Sequence, residues 1–280
     1  MKLSISNIAW EPSESAEHLA LIHRLGCDGV ELAPSVLWPE PSEVTESEAR
    51  RVASQIRDHG LEVVGFHALL YTRPDLQLFL DRPGLQRATD YLAQLARLCR
   101  WTGGGVLILG SPRNRVRHGK TTSDCMAWAA DGLRTLAPAL ESSDVTLCLE
   151  PLGPDETEFL QSSDEAMALI RLVDHPRIAL HLDVKAMVSA GESMAEVLSR
   201  HGRSVRHVHV GDPGLAPPGT TGVDHAPFGR ALREFGYDRY VSIEMRRGSG
   251  PSREVVTRSL AYVREQYLGQ PITSARMVAP

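Results

Sequence analysis

Short apolar runs alternate with amphipathic segments along nearly the whole chain, and this alternation constrains the fold more than any other feature of the sequence. Eight runs read as strands, at residues 3–8, 29–32, 61–67, 106–109, 145–149, 178–182, 205–210 and 240–243. Helical spacing of apolar residues follows at 14–25, 47–59, 85–101, 124–140, 163–173, 194–201, 227–235 and 253–267. Eight strand–helix units predict a single (β/α)8 TIM barrel domain over residues 1–280, with a loosely ordered tail at 270–280.

A doubly wound open sheet is the alternative fold for the same alternation. Such a sheet uses fewer strands and usually carries a glycine-rich phosphate turn after its first strand. The residues at that point of this chain are Asn7, Ile8, Ala9 and Trp10, which do not form such a turn. The sequence therefore favours the closed barrel.

The charge balance argues against two classes of partner. The chain has 280 residues, a formal net charge of -5 and no basic run, so we expect it to bind neither nucleic acid nor an anionic membrane surface.

The sequence also predicts where the chain resides. No apolar run approaches the length of a bilayer-spanning helix. The four cysteines show no CxxC spacing and no secretory leader is evident, so we expect reduced thiols and a cytoplasmic location.

Four consecutive predicted strands end in side chains that can bind a metal ion, namely Glu150, Asp183, His209 and Glu244. The carboxyl ends of barrel strands meet at one rim, so these groups are predicted to converge. Three carboxylates and one imidazole fit one divalent ion, with Mn2+ or Mg2+ favoured and Co2+ or Zn2+ as alternatives. The competing interpretation is that each acidic end caps the next helix or pairs with an arginine.

Two further histidines precede these strand ends. Side chains two residues apart on a strand share a face, so His181 and His207 lie one layer below Asp183 and His209. At that depth they are predicted to be hydrogen-bonded groups that support the ligands rather than ligands themselves.

The strand ends also carry a family resemblance. The chain resembles the sugar phosphate isomerase/epimerase superfamily of xylose isomerase-like barrels, which includes ketose 3-epimerases and inosose dehydratase. The motifs that carry it are Leu149-Glu150-Pro151, Leu182-Asp183, His207-Val208-His209 and the stretch from Gly236 to Glu244. The resemblance implies that Glu150, Asp183, His209 and Glu244 bind one divalent ion, with Glu150 and Glu244 also acting as acid and base.

The same resemblance extends to the substrate and the assembly. Glu156 lies where ketose epimerases have a glutamate that contacts the substrate. Two positions depart from the family pattern, since Ala186 replaces a histidine found in many relatives and residues 211–215 lack an arginine. The endonuclease IV branch needs further ligands that Ala186 and Leu109 do not supply. Barrels of this family often form homodimers or homotetramers, although no sequence feature here indicates either.

These residues predict a reaction class. An ion that polarises a carbonyl makes the neighbouring C–H acidic, and two carboxylates can remove and return that proton through an enediolate. We predict a metal-dependent sugar isomerase or epimerase with Glu150 and Glu244 as the catalytic pair. The alternatives are a metal-dependent lyase or dehydratase acting by β-elimination on a keto-sugar or keto-inositol, and a non-catalytic sugar-binding subunit. The predicted substrate-binding residues are Asn7, His67, Arg113, Glu156, Lys185 and His225.

Overall fold

The computed structural model describes residues 1–270 and shows a closed parallel barrel. Its strands are β1 (Lys2–Ser6), β2 (Gly29–Leu32), β3 (Glu62–Phe66), β4 (Val106–Leu109), β5 (Thr146–Leu149), β6 (Ile178–Asp183), β7 (Val205–Val210) and β8 (Tyr240–Ile243). They pair in chain order, and β8 returns to pair with β1. The predicted (β/α)8 TIM barrel is confirmed. The tail predicted at 270–280 lies, apart from its first residue, outside the described residues.

Helices surround the barrel between successive strands. They are α1 (Ser15–Arg24), α2 (Pro34–Leu37), α3 (Glu46–Asp58), α4 (Arg82–Thr102), α5 (Thr122–Ser142), α6 (Ser163–Val173), α7 (Val184–Ala190), α8 (Met194–His201), α9 (Ala226–Phe235) and α10 (Ser252–Val263). The last continues as a π-helical turn over Arg264–Leu268. Within residues 1–270, none of these helices is both long enough and apolar enough to cross a bilayer.

The interior of the barrel changes character along its axis. Its deeper part holds a small apolar cluster of Val64, Val106, Ile108, Cys148 and Ala179. Two residues further along β5 and β6, on the same faces, stand Glu150 and His181. An apolar base therefore lies under a polar mouth, as expected for barrels whose ligand sites lie at the carboxyl ends of the strands.

Two long loops at this rim are bound to each other. One joins β3 to α4 (residues 67–81) and the other joins β4 to α5 (residues 110–121). The side-chain amide of Asn114 donates to the carbonyls of Arg73 and Leu76 at 2.7 and 2.9 Å. The backbone N–H of Leu78 donates to the Asn114 carbonyl at 2.8 Å. These bonds make the two segments, here named the paired loops, one structural unit.

Candidate active site

The four predicted metal ligands converge at the carboxyl rim. One carboxylate oxygen from each of Glu150, Asp183 and Glu244 lies within 4.8 Å of the others. The Nδ1 atom of His209 is 3.4 Å from Glu244 Oε2 and 3.9 Å from Glu150 Oε1. Strands β5 to β8 supply one group each, so the geometry expected from the strand ends is present. Ion binding by these residues stays a prediction.

His209 is oriented by a carboxylate from the other side of the barrel. Its Nε2 atom lies 2.9 and 3.1 Å from the two oxygens of Glu31, which is fully buried on β2. An ionised carboxylate can only accept, so Nε2 donates to Glu31. Nδ1, on the side of Glu150 and Glu244, is therefore the ring nitrogen that can bind an ion once it is deprotonated. A carboxylate that fixes the tautomer of a histidine in this way is typical of metal-ligating histidines.

Glu150 is positioned from two sides. Arg115, itself buried, donates from Nη1 to the Glu150 carbonyl at 2.9 Å and from Nε to Thr157 Oγ1 at 3.1 Å. On the other side Gly110 follows β4, and a Cβ atom there would lie 2.0 Å from Glu150 Oε2. The absence of a side chain at position 110 therefore leaves the space that the Glu150 carboxylate occupies.

Glu244 and Asp183 are each held through one oxygen. His67 Nδ1 donates to Glu244 Oε1 at 3.0 Å, and its Nε2 hydrogen-bonds to the Ser6 hydroxyl. Asp183 Oδ1 accepts the backbone N–H of Lys185 at 2.8 Å, as the cap of α7. The capping interpretation is thus correct for one oxygen of Asp183, while its Oδ2 makes no hydrogen bond.

Burial and mutual repulsion dominate the electrostatics. Burial raises the pKa of Glu150 to about 8, and the charges of Glu244 and Asp183 add to this shift. Burial also raises the pKa of Asp183, although Lys185 opposes it. For His209 burial favours the neutral ring, but Glu31 and Glu244 outweigh it and hold the pKa well above the usual value. Carboxylates crowded in this way indicate a place for a cation.

The residues present fit a divalent ion. Asp183 Oδ2 and His209 Nδ1 are buried without a hydrogen-bond partner, whereas buried polar atoms in proteins are nearly always paired. Carboxylate oxygens and a neutral imidazole nitrogen are ligands for hard or borderline divalent ions. Both the unpaired buried atoms and the types of donor atom therefore indicate a divalent cation as the ligand of this site.

Lys185 and Glu156 lie beside this cluster, and Asn7 lies at the same rim, directly after β1. Lys185 Nζ pairs with Glu156 at 2.7 Å and lies 3.5 Å from Asp183 Oδ2. Asn7 accepts the backbone N–H of Ala33 through Oδ1, and its buried Nδ2 has no partner. Lys185 and Glu156 thus present a charged pair beside Asp183, and Asn7 leaves one buried donor free at the rim.

The other predicted substrate-binding residues are engaged within the fold. Both ring nitrogens of His67 are used by Glu244 and Ser6, as described above. Arg113 is exposed, donates to the Tyr71 carbonyl and stacks 5.0 Å from the ring of Tyr71. His225 is fully buried, with Nδ1 bonded to Tyr267 and Nε2 bonded to Asp212. Contact of any of these residues with a substrate stays a prediction.

Two residues that position the ligands have no assigned role in the sequence prediction. Glu31 interrupts an apolar strand at an inward position, and a charged residue in such a run is a signal of a buried partner. Gly110 leaves no comparable signal, because a glycine after a strand is common in turns. Its role depends on the distance to Glu150, which only the folded barrel sets.

The barrel and its rim cluster define a class of protein, the (β/α)8 barrels that bind small ligands with groups at the carboxyl ends of their strands. A family model described as xylose isomerase-like TIM barrel matches residues 19–266, and the chain belongs to that family. This confirms the resemblance read from the strand ends.

Individual relatives agree with this assignment. The chain is 25% identical to a D-psicose 3-epimerase of Ruminiclostridium cellulolyticum over 87% of this chain and 83% of that protein. A solved D-psicose 3-epimerase, studied in the presence of D-fructose, shares the fold with a TM-score of 0.79 at 17% identity, covering 95% of this chain and 99% of its own. The structure of a 3-keto-D-glucoside 4-epimerase from E. coli shares the fold with a TM-score of 0.79 at 20% identity, covering 94% of this chain and 99% of its own. The curated matches support an enzyme of the isomerase and epimerase class.

Proposed function

We propose that this protein is a divalent-metal-dependent epimerase or isomerase of a keto-sugar or keto-sugar derivative. The observation that carries the proposal is the convergence of Glu150 and Glu244 from non-adjacent strands beside Asp183 and His209. The activities of the related epimerases support the substrate class. An epimerase must remove a proton from one face of a carbon and return one to the other, and this needs two basic groups on different sides.

The chain's own residues perform the proton transfers in this proposal. A bound divalent ion supplies Lewis-acid polarisation of the substrate carbonyl. Glu150 comes from β5 and Glu244 from β8, with β6 and β7 between them, and in this proposal the two carboxylates approach the substrate carbon from different directions. One removes the proton next to the carbonyl, and the other delivers a proton to the opposite face.

Other groups at the rim bind and orient the sugar. Lys185 and Glu156 offer a charged pair for hydroxyl groups, and Asn7 Nδ2 offers an unused donor. His67 keeps Glu244 in place through its 3.0 Å hydrogen bond, which leaves the second oxygen of Glu244 toward His209. Positioning of this kind lowers the entropic cost of reaching the reactive geometry.

The test is proton exchange with solvent. The metal-free protein is reconstituted with Mn2+ and incubated with D-psicose or D-fructose in deuterium oxide. An epimerase incorporates deuterium next to the carbonyl of the product and releases no water, whereas a lyase gives a dehydrated product. We expect Glu244→Gln to abolish incorporation and to leave the circular dichroism spectrum unchanged.

A control substitution separates chemistry from folding. Glu62 is an exposed glutamate at the opposite end of the barrel, bonded to Lys2 and Tyr240. Glu62→Gln should retain wild-type incorporation of deuterium. Normal turnover in Glu244→Gln would rule out its assigned role, and dehydration without epimerisation would replace the proposed reaction by β-elimination.

A further inference from the structure

A buried histidine next to the rim cluster has no partner. His181 on β6 is fully buried, and neither of its ring nitrogens makes a hydrogen bond. Leaving a buried donor or acceptor unpaired destabilises a protein, so such a group needs an explanation. His207 lies beside it in register on β7 and is equally buried, but its Nε2 is bonded to Glu31 at 3.3 Å.

The distances around His181 are too long for hydrogen bonds. Its Nε2 atom lies 3.7 Å from Glu150 Oε1, and His209 Nδ1 lies 3.9 Å from the same oxygen. The two rings are 4.2 Å apart at 75°. His181 Nε2, His209 Nδ1 and Glu150 Oε1 therefore lie close together without a hydrogen bond from either nitrogen to that oxygen.

A shared ion accounts for these separations. Two ligand atoms that each lie about 2.1 Å from one ion are about 3 to 4.2 Å apart, depending on the angle between them. The 3.7 and 3.9 Å separations fall in this range. Glu150, His181 and His209 can each offer one atom so that all three lie within 4.8 Å of one another. Glu150 also belongs to the carboxylate set with Asp183 and Glu244.

We propose that His181 Nε2 is a fifth ligand of the ion held by Glu150, Asp183, His209 and Glu244. This inference rests on the metal site of the proposed function and adds a ligand that the strand-end reasoning excluded. A second imidazole moves the donor set from oxygen-rich toward mixed nitrogen and oxygen. The site should therefore favour borderline ions such as Co2+ or Zn2+ over Mg2+.

Metal affinity tests the proposal independently of activity. The metal-free protein is titrated by calorimetry with Co2+ and, separately, with Mg2+. His181→Leu should weaken Co2+ binding by about 10- to 100-fold and change Mg2+ binding much less, because imidazole ligation contributes most for borderline ions. Equal weakening for both ions would overturn the proposal and leave His181 as a residue that only positions Glu150.

Nitrogen coordination gives a second measurement, which can be made on the wild-type protein as well as on variants. Pulsed electron paramagnetic resonance of the Mn2+-loaded wild-type protein counts the coordinated imidazole nitrogens. Two are expected in the wild type, one in His181→Leu and two in the matched variant His207→Leu. A single coordinated nitrogen in the wild type, or two ions bound per chain, would overturn the proposal. Binding of no divalent ion at all would instead overturn the proposed function itself.

Discussion

Adding one methyl group at Gly110 should impair metal binding and leave folding intact. A Cβ atom at this position would lie 2.0 Å from Glu150 Oε2 and 3.0 Å from Glu150 Cδ. Real Cβ atoms essentially never approach within 3.0 Å, so the carboxylate oxygen has to move by about 1 Å or more. The atom that moves is the far end of a flexible side chain, so the loss of folding stability is small.

The expected magnitude follows from the role of that oxygen. A displacement of about 1 Å at a reacting group can cost about 100-fold in rate, and disturbed ligand positioning costs about 10- to 100-fold in metal affinity. We therefore expect Gly110→Ala to bind Co2+ or Mn2+ about 10- to 100-fold more weakly by calorimetry. Its thermal unfolding in the metal-free state should stay close to that of the wild type.

Gly105→Ala is the matched control. Gly105 and Gly110 flank β4 at its two ends, and a Cβ atom at Gly105 meets nothing within 4 Å. The same substitution there should leave metal affinity and thermal unfolding unchanged. A folded Gly110→Ala protein with wild-type metal affinity would refute the reasoning, because Glu150 would then not need the space that Gly110 leaves.

Three further outcomes are expected. Glu31→Gln should weaken divalent-ion binding about 10- to 100-fold in calorimetry, since an amide no longer fixes the tautomer of His209; unchanged affinity would contradict this. Lys185→Met should strengthen ion binding by about tenfold, because it removes a cation 3.5 Å from Asp183 Oδ2; weaker binding would contradict this. Because the pKa of Glu150 is raised to about 8 and that of His209 is also raised, an incoming ion displaces protons. Affinity should therefore fall as pH drops below about 8, with proton release measurable by calorimetry in buffers of different ionisation enthalpy; a pH-independent affinity would contradict this.

Most of the barrel could be predicted because its signals are local. The apolar run Val106–Leu109, for example, lies between two helical segments, and its limits match the prediction. The helix α7 was missed because its seven residues give only two turns of periodicity and its cap, Asp183, is also the last residue of a strand. One side chain with two structural roles is difficult to recognise from pattern alone.

The site was predictable only in part. Strand parity placed Glu150, Asp183, His209 and Glu244 at one rim without knowledge of their distances. The contact of Lys185 with Glu156 joins residues of two loops that no periodicity relates. The depth prediction for His181 and His207 agrees with the structure, yet only His207 has the hydrogen bond expected of it. The cytoplasmic location, the oligomeric state and the identity of the ion stay predictions.

The paired loops have a consequence for protein engineering. Residues 67–81 and 110–121 are joined by the hydrogen bonds of Asn114, which is 2% exposed. A chimera that replaces only residues 67–81 would leave the side-chain amide of Asn114 without its acceptors. A chimera that replaces only residues 110–121 would leave the carbonyls of Arg73 and Leu76 without their donor. A redesign of this part of the barrel rim to accept a different sugar therefore has to replace both of the paired loops together.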